Sequence, residues 1–140
     1  MFVDTNILVN ARIHEAPHHE IAREGLERGL RGPEPLCISR QIMREYLAVV
    51  TRPQSWPVPI TRGEALDDIG RLNRDLEVLE DGPRVTEMLV ALCRAVQVGG
   101  RQIHDANIVA TMLAYGERRL LTFNAVDFRR YGDRIELAVS

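Results

Sequence analysis

The chain has 140 residues, of which 45% are hydrophobic and 27% are charged, and its formal net charge is −2. This length suits a single domain, 1–140, with one core, and the apolar fraction excludes a disordered linker protein. No apolar run approaches the roughly 18 residues that span a bilayer, and Asp4 comes too early for the apolar segment of a secretory signal. We therefore expect a soluble protein of the cytoplasm with no membrane contact.

Alternating apolar runs and helical periodicities predict strands separated by helices along the whole chain. The predicted strands lie at 2–3, 36–38, 77–79, 120–122 and 135–139. The predicted helices lie at 5–13, 18–30, from a Ser39 cap to near 52, from a Thr61 cap through 72, from 85 to the Gly99–Gly100 pair, and 103–115. Such alternation is typical of parallel sheets covered by helices. The sequence therefore predicts a three-layer α/β/α sandwich around a mostly parallel sheet of about five strands.

Basic residues and cysteines limit the classes of partner. Every basic residue apart from histidine is an arginine, a side chain that binds phosphate well. The slightly acidic total argues against uniform coating of a nucleic acid, so a local patch would have to bind it. Cys37 and Cys93 lie in apolar stretches outside any metal-binding spacing, which indicates free thiols in the core.

Three carboxylates stand where a strand ends or a helix begins. Asp4 follows the first strand, Asp105 begins an apolar helix, and Asp127 lies in the turn after the 120–122 strand. Each has an ordinary structural explanation as a helix cap, a dipole partner or a turn residue. Ligands nevertheless collect at the carboxyl ends of parallel strands, where these acids would converge.

Glu45 is placed differently, on the apolar stripe of a helix. The stripe positions Ile42, Tyr46 and Val49 recur at helical spacing, and Glu45 falls among them. A buried carboxylate costs several kcal/mol unless it is paired or bound to a metal. The sequence leaves open an ion pair with Arg44 or Arg52, a side chain at the edge of the stripe, and a metal ligand.

Converging carboxylates repel one another, and a hard divalent cation relieves that repulsion. Ligand sets made only of oxygen favour Mg²⁺ or Mn²⁺ over zinc. With no serine, cysteine or histidine arrangement for nucleophilic catalysis, the acids favour hydrolysis of a phosphodiester by metal-activated water.

At this point the chain resembles the PIN-domain ribonucleases, and more narrowly the VapC-type toxins of bacterial toxin–antitoxin pairs. The resemblance covers essentially the whole sequence. It rests on Val3-Asp4-Thr5-Asn6, on Glu45 in a helix leading to Val50-Thr51-Arg52-Pro53, on His104-Asp105-Ala106, and on Thr122-Phe123-Asn124-Ala125-Val126-Asp127-Phe128. The order and spacing of these four segments are specific, whereas any one alone is weak.

The resemblance implies a Mg²⁺-dependent endoribonuclease, with Mn²⁺ as a substitute, that cleaves structured RNA such as tRNA or rRNA. Asp4 and Asp105 would hold the principal ion, and Glu45 and Asp127 would complete one or two ion sites. Relatives carry the fourth acid or amide at the position of either Asn124 or Asp127, and we favour Asp127. The resemblance also implies a VapB-like antitoxin whose C-terminal segment blocks the acidic pocket, and a homodimer.

Neighbouring residues have candidate supporting roles. Thr122, Asn124 and His104 would orient water, phosphate or the acids, while Thr5 and Asn6 could offer backbone N–H groups to a phosphate. The arginines that could flank the pocket are Arg12, Arg40, Arg44, Arg52, Arg129 and Arg130. Trp56, in the 53–59 proline-rich loop, could stack on a base or anchor the loop. His14, His18 and His19 more simply begin a solvated helix.

Other functions remain as alternatives. A phosphatase using an aspartyl-phosphate wants a second acid two residues after Asp4, where this chain has Asn6. A PIN module that binds or processes RNA without being a toxin is a second alternative, and a DNA-directed metal nuclease is a third.

Overall fold

In the computed structural model, which describes residues 1–53 and 56–139, five strands form one sheet in the order β3-β2-β1-β4-β5. The strands are β1 (Phe2–Val3), β2 (Cys37–Ser39), β3 (Glu77–Leu79), β4 (Arg119–Thr122) and β5 (Glu136–Val139). Every pairing is parallel. The predicted sheet is confirmed, and "mostly parallel" becomes wholly parallel among these strands.

The helices are α1 (Thr5–Arg12), α2 (His19–Arg31), α3 (Arg40–Val50), α4 (Arg62–Asp75), α5 (Pro83–Ala95), α6 (Gln102–Ala114) and α7 (Ala125–Phe128), followed by a 3₁₀ segment (Arg129–Arg134). From β1 through β2 to β3, each successive strand is added on the same side of the sheet. The chain then crosses back, so that β4 and β5 lie on the other side of β1. Right-handed crossovers then place α1–α4 on one face and α5–α6 on the other. The contacts agree, because α1 packs on α2 and α3, while α5 packs on α6.

The predicted caps form as expected. The Ser39 hydroxyl accepts a hydrogen bond from the backbone N–H of Ile42, and Thr61 forms a reciprocal capping box with Glu64. Helix α5 differs from prediction, since it ends at Ala95 and Val96 is already extended. Gly100, with φ +58, makes the turn before α6 instead of ending α5. Helix α7 and the 3₁₀ segment were not predicted.

The core lies on both faces of a very short central strand. Phe2 and Val3 are fully buried, and they pair with β2 on one side and β4 on the other. The ladder continues one step, because the Asp4 N–H donates to the Leu121 carbonyl at 3.0 Å. Asp4 therefore occupies the point where the central strand turns into α1. The described part of the chain contains no helix of the length and apolar character that a membrane span requires.

Candidate metal-binding and nuclease site

Asp4 is held in place by three donors at the carboxyl end of β1. Its Oδ1 accepts from the Thr5 N–H at 2.7 Å, and its Oδ2 accepts from the Thr122 hydroxyl at 2.7 Å and the Asn6 amide at 3.1 Å. Only 6% of the residue is exposed. Burial raises the pKa of Asp4 from 3.8 to about 6, and the charges of Glu45 and Asp105 add to the rise against the lowering effect of these donors.

The turn after β4 supports the same carboxylate. The buried Thr122 hydroxyl accepts from the Asn124 N–H at 2.9 Å, and the Asn6 side-chain oxygen accepts from the Phe123 N–H at 3.2 Å. Hydrogen bonds thus connect the start of α1 to the turn after β4, next to Asp4. Thr122 and Asn6 contact Asp4 as supporting residues, whereas the Thr5 N–H is engaged by Asp4 instead of facing a phosphate.

Glu45 reaches the site from α3 and is half-buried. Its Oε2 accepts from the Thr5 hydroxyl at 2.8 Å, and its Oε1 accepts from the Gln41 amide at 2.9 Å. Among the described residues Glu45 forms no ion pair, so neither Arg44 nor Arg52 neutralises it through direct contact. Glu45 therefore brings net negative charge to the side of Asp4, held by neutral donors.

Asp105 lies in the first turn of α6 and is half-buried. Burial raises its pKa, and the negative charges of Asp127 and Glu45 raise it further, while Arg130 and His104 act in the opposite direction. His104 itself is exposed, and its backbone carbonyl accepts from the Gln41 amide at 2.8 Å. After burial, Glu45 and Asp105 raise the pKa of Asp4, and Asp127 and Glu45 raise the pKa of Asp105, so all four acids lie in one region.

Asp4, Glu45 and Asp105 border an open cleft of about 450 Å³ at the carboxyl edge of the sheet. Its lining residues are Asp4, Thr5, Asn6, Val9, Asn10, Glu45, Ala48, Val49, Arg52, Asp105 and Asn124. Asn124 therefore lines the cleft, whereas Asp127 is exposed in α7 and acts on Asp105 from outside the lining. A larger groove of about 570 Å³, between α2 and β5, carries none of the predicted acids.

The polar atoms of the cleft that could ligate a metal suit a hard cation. They are carboxylate, hydroxyl and amide oxygens, with no histidine or cysteine among the residues that line the cleft. Within residues 1–53 and 56–139, no three histidine, cysteine or acidic side chains stand close enough together to hold one ion directly. Mg²⁺ commonly keeps several waters and binds one or two carboxylates. Asp4, Glu45 and Asp105, which line one cleft without forming such a cluster among the described residues, therefore still suit this ion.

The candidate arginines divide into three groups. The Arg12 guanidinium pairs with the buried Asp68 at 2.9 Å, and Arg40 pairs with Glu80 at 2.6 Å, so both are committed to structural ion pairs. Arg52 lines the cleft, and Arg130 lies close enough to Asp105 to lower its pKa. Arg44 and Arg129 are exposed outside the lining.

The tryptophan, histidines and cysteines singled out in the sequence pack against other parts of the protein. Part of the proline-rich loop, residues 54–55, lies outside the described residues, but Trp56 is partly buried and packs against the core, as a loop anchor would. His19 is buried, with its Nδ1 3.0 Å from the Asn10 carbonyl and its Nε2 3.4 Å from His14 Nδ1. His18 packs on the Phe123 ring. Cys37 and Cys93 are free, as predicted.

Sequence reasoning missed Gln41, which is buried and bonds to both Glu45 and the first turn of α6. The available signal was its position four residues before Glu45, on the same helix face. It also missed Asp68, a buried carboxylate whose partners are Arg12, Tyr46 and Arg71. No local pattern marks Asp68, because two of its three partners come from other helices.

The chain is similar in sequence to proteins of a known family. The sequence profile of the PIN domain matches residues 1–134. Ribonuclease VapC24 of Mycobacterium tuberculosis is 26% identical over 132 residues, covering 93% of this chain and 90% of the relative.

Two solved structures share the fold. VapBC2 from Rickettsia felis, bound to a DNA fragment from its promoter, has a TM-score of 0.74 at 19% identity and covers 99% of this chain and 97% of its own. VapC20 of M. tuberculosis, described as a sarcin–ricin loop cleaving toxin, has a TM-score of 0.71 at 17% identity and covers 94% of both chains. At these identities the likeness establishes the fold.

Proposed function

Because the chain belongs to the PIN domain family, we propose that it is a metal-dependent endoribonuclease that acts as the toxin of a toxin–antitoxin pair. The observation that carries this proposal is the convergence of Asp4, Glu45 and Asp105 on one open cleft, although the end of β1, α3 and α6 supply them from distant parts of the chain. An acidic cleft open to solvent suits a polymer substrate whose phosphates approach together with a cation.

We assign Asp4, Glu45 and Asp105 as metal-holding residues, with Asp127 as the fourth acid, and Mg²⁺ or Mn²⁺ as the ion. The support is the oxygen-only set of metal ligands and the position of Asp4 and Asp105, where burial, and after it the neighbouring negative charges, raises the pKa of each. When bound, a divalent cation supplies water activation and charge neutralisation at the phosphate. In this assignment Thr122 and Asn6 orient the Asp4 carboxylate, and Thr5 orients Glu45 through its hydroxyl.

The substrate we propose is structured RNA, such as tRNA or rRNA, and the phosphate contacts would come from Arg52 and Arg130 beside the acids. Similarity to VapC24 and to the sarcin–ricin loop cleaving toxin supports this substrate class. Similarity to VapBC2 supports a VapB-like antitoxin as partner. We also propose that two copies of the chain form a homodimer.

The aspartyl-phosphate alternative is less favoured by the residue two positions after Asp4. That chemistry wants a second acid there, and this chain has Asn6. The Asn6 amide donates to Asp4 Oδ2 at 3.1 Å and so orients the carboxylate.

The experiment is an RNA cleavage assay with total RNA and Mg²⁺ or Mn²⁺, in which cut ends are mapped by sequencing. Wild type is compared with Asp4→Asn and Asp105→Asn, and with Asp67→Asn as a control in which the same change falls on an exposed position of α4. We expect discrete cuts that vanish with EDTA and in both site variants but persist in the control.

Three results would count against the proposal. An identical pattern from wild type and site variants would indicate a contaminating nuclease. Cleavage of an added single-stranded DNA of matching sequence, with the RNA left intact, would replace the RNA substrate with DNA. Protection by the product of an adjacent small open reading frame would support the toxin assignment, and unimpaired growth of cells producing the active enzyme would oppose it.

A further inference from the structure

The amide of Gln41 connects two of the acid-bearing helices. Gln41 lies in the first turn of α3 and only 6% of it is exposed. Its Nε2 donates to Glu45 Oε1 at 2.9 Å within α3 and to the His104 carbonyl at 2.8 Å in α6. His104 directly precedes Asp105, so one amide group contacts one acid and the backbone that carries another.

A second amide fixes the orientation of the first. The Asn107 Nδ2 donates to Gln41 Oε1 at 2.9 Å and to Asp81 Oδ2 at 3.2 Å. Reversing the Gln41 amide would set its oxygen against the Glu45 carboxylate and the His104 carbonyl, and its NH₂ against the Asn107 NH₂. The hydrogen-bond pattern therefore allows one orientation, in which both N–H groups point towards the acid side.

We propose that Gln41 is a positioning residue of the cleft, which sets the separation of Glu45 from Asp105, and that Asn107 holds Gln41 in the orientation this requires. The inference rests on the proposed function, because it assigns a role at the same site. Its physical basis is the pair of hydrogen bonds from one buried amide. Gln41 donates to the Glu45 carboxylate and to the backbone that carries Asp105, so a neutral donor fixes the spacing of two acids that border the same cleft. Outer hydrogen bonds of this kind commonly matter 10–100-fold for metal affinity.

The test measures Mn²⁺ affinity by calorimetry, beside melting temperature in EDTA, for Gln41→Met and for a matched control, Tyr46→Phe. Methionine keeps the length of the side chain and removes all its hydrogen bonds. Tyr46 is also on α3 and buried, but its hydroxyl donates to Asp68 at 2.5 Å, away from the acids. We expect both variants to lower the melting temperature, and only Gln41→Met to weaken Mn²⁺ binding, by at least tenfold.

A milder variant covers the case in which Gln41→Met does not fold. Asn107→Ala leaves the Gln41 donors present but unsupported, and we expect Mn²⁺ binding to weaken about threefold. Unchanged affinity in the folded variants would overturn the inference and leave Gln41 as a purely structural residue. If Asp4→Asn still abolishes Mn²⁺ binding in that case, the proposed function stands. A wild-type protein that binds no Mn²⁺ overturns both.

Discussion

The Thr122 hydroxyl donates a 2.7 Å hydrogen bond to Oδ2 of Asp4, across 118 positions of sequence. Strands β1 and β4 are neighbours in the sheet, with Val3 opposite Leu121, so the two side chains meet where both strands end. This bond lowers the pKa of Asp4 against the larger effect of burial.

Removal of that bond tests its effect on titration. Thr122→Val keeps the shape of the side chain and deletes the hydroxyl, so the pKa of Asp4 should rise above its present value of about 6. Because a cation competes with the proton, Mn²⁺ affinity measured by calorimetry from pH 5.5 to 8 should reach its plateau at a higher pH than in wild type. Thr122→Ser, which retains the hydroxyl, should follow wild type. Coincident pH profiles for all three proteins would show that the Thr122 hydroxyl does not influence the pKa of Asp4.

Asp4 also makes the metal-free stability of the protein depend on pH. Its folded pKa, about 6, lies above the ordinary value of 3.8, so the folded state holds the proton more tightly. The resulting stabilisation is complete below pH 3.8 and is lost as the pH rises through about 6. The difference corresponds to about 3 kcal/mol.

Relative to Asp4→Asn, wild type should therefore lose about 3 kcal/mol of unfolding free energy between pH 3.5 and pH 7.5. Urea denaturation in EDTA at both pH values measures this change. The comparison isolates the charge, since the hydrogen bonds disturbed by asparagine are disturbed equally at both pH values. An equal stability gap at the two pH values would show that Asp4 is not buried as an unneutralised acid.

The fourth metal-holding residue can be identified by comparing two positions that are three residues apart. Asn124 lines the cleft, while Asp127 acts on Asp105 through its charge. We expect Asp127→Asn to weaken Mn²⁺ binding about tenfold and to lower the pKa of Asp105, because a like charge is removed. The pH dependence of Mn²⁺ binding should accordingly shift to lower pH. A large loss in Asn124→Ala, with Asp127→Asn unaffected, would transfer the role to Asn124.

Two arginines offer a matched test of RNA binding. Arg52 lines the cleft, whereas Arg12 is held by Asp68 at 2.9 Å. We expect Arg52→Ala to raise KM for RNA several-fold and to reduce the salt dependence of binding by about one counterion, with kcat little changed. Arg12→Ala should instead lower the melting temperature and leave KM unchanged. The reverse result would mean that the RNA passes over the end of α1.

Much of the architecture was predictable because its signals are local. Helical spacing, the caps at Ser39 and Thr61 and the short apolar strands identify the elements within a few residues. The end of α5 was misplaced because the paired glycines 99 and 100 resemble a helix terminus, whereas Val96 had already left the helix. The 3₁₀ segment, with Gly132 at φ +59, carries no periodicity from which it could be predicted.

The sequence by itself determined that acids stand at strand ends and on one inward helix face, because those placements follow from periodicity along the chain. Only the tertiary structure decided which side chains meet. Among the described residues, Glu45 accepts hydrogen bonds from Thr5 and Gln41 and pairs with no arginine, and Arg12 forms its ion pair with Asp68. Such pairings depend on how α1, α3, α4 and α6 pack across the sheet. Packing brings together residues that are tens of positions apart in sequence, and no local sequence pattern indicates which of them will be in contact.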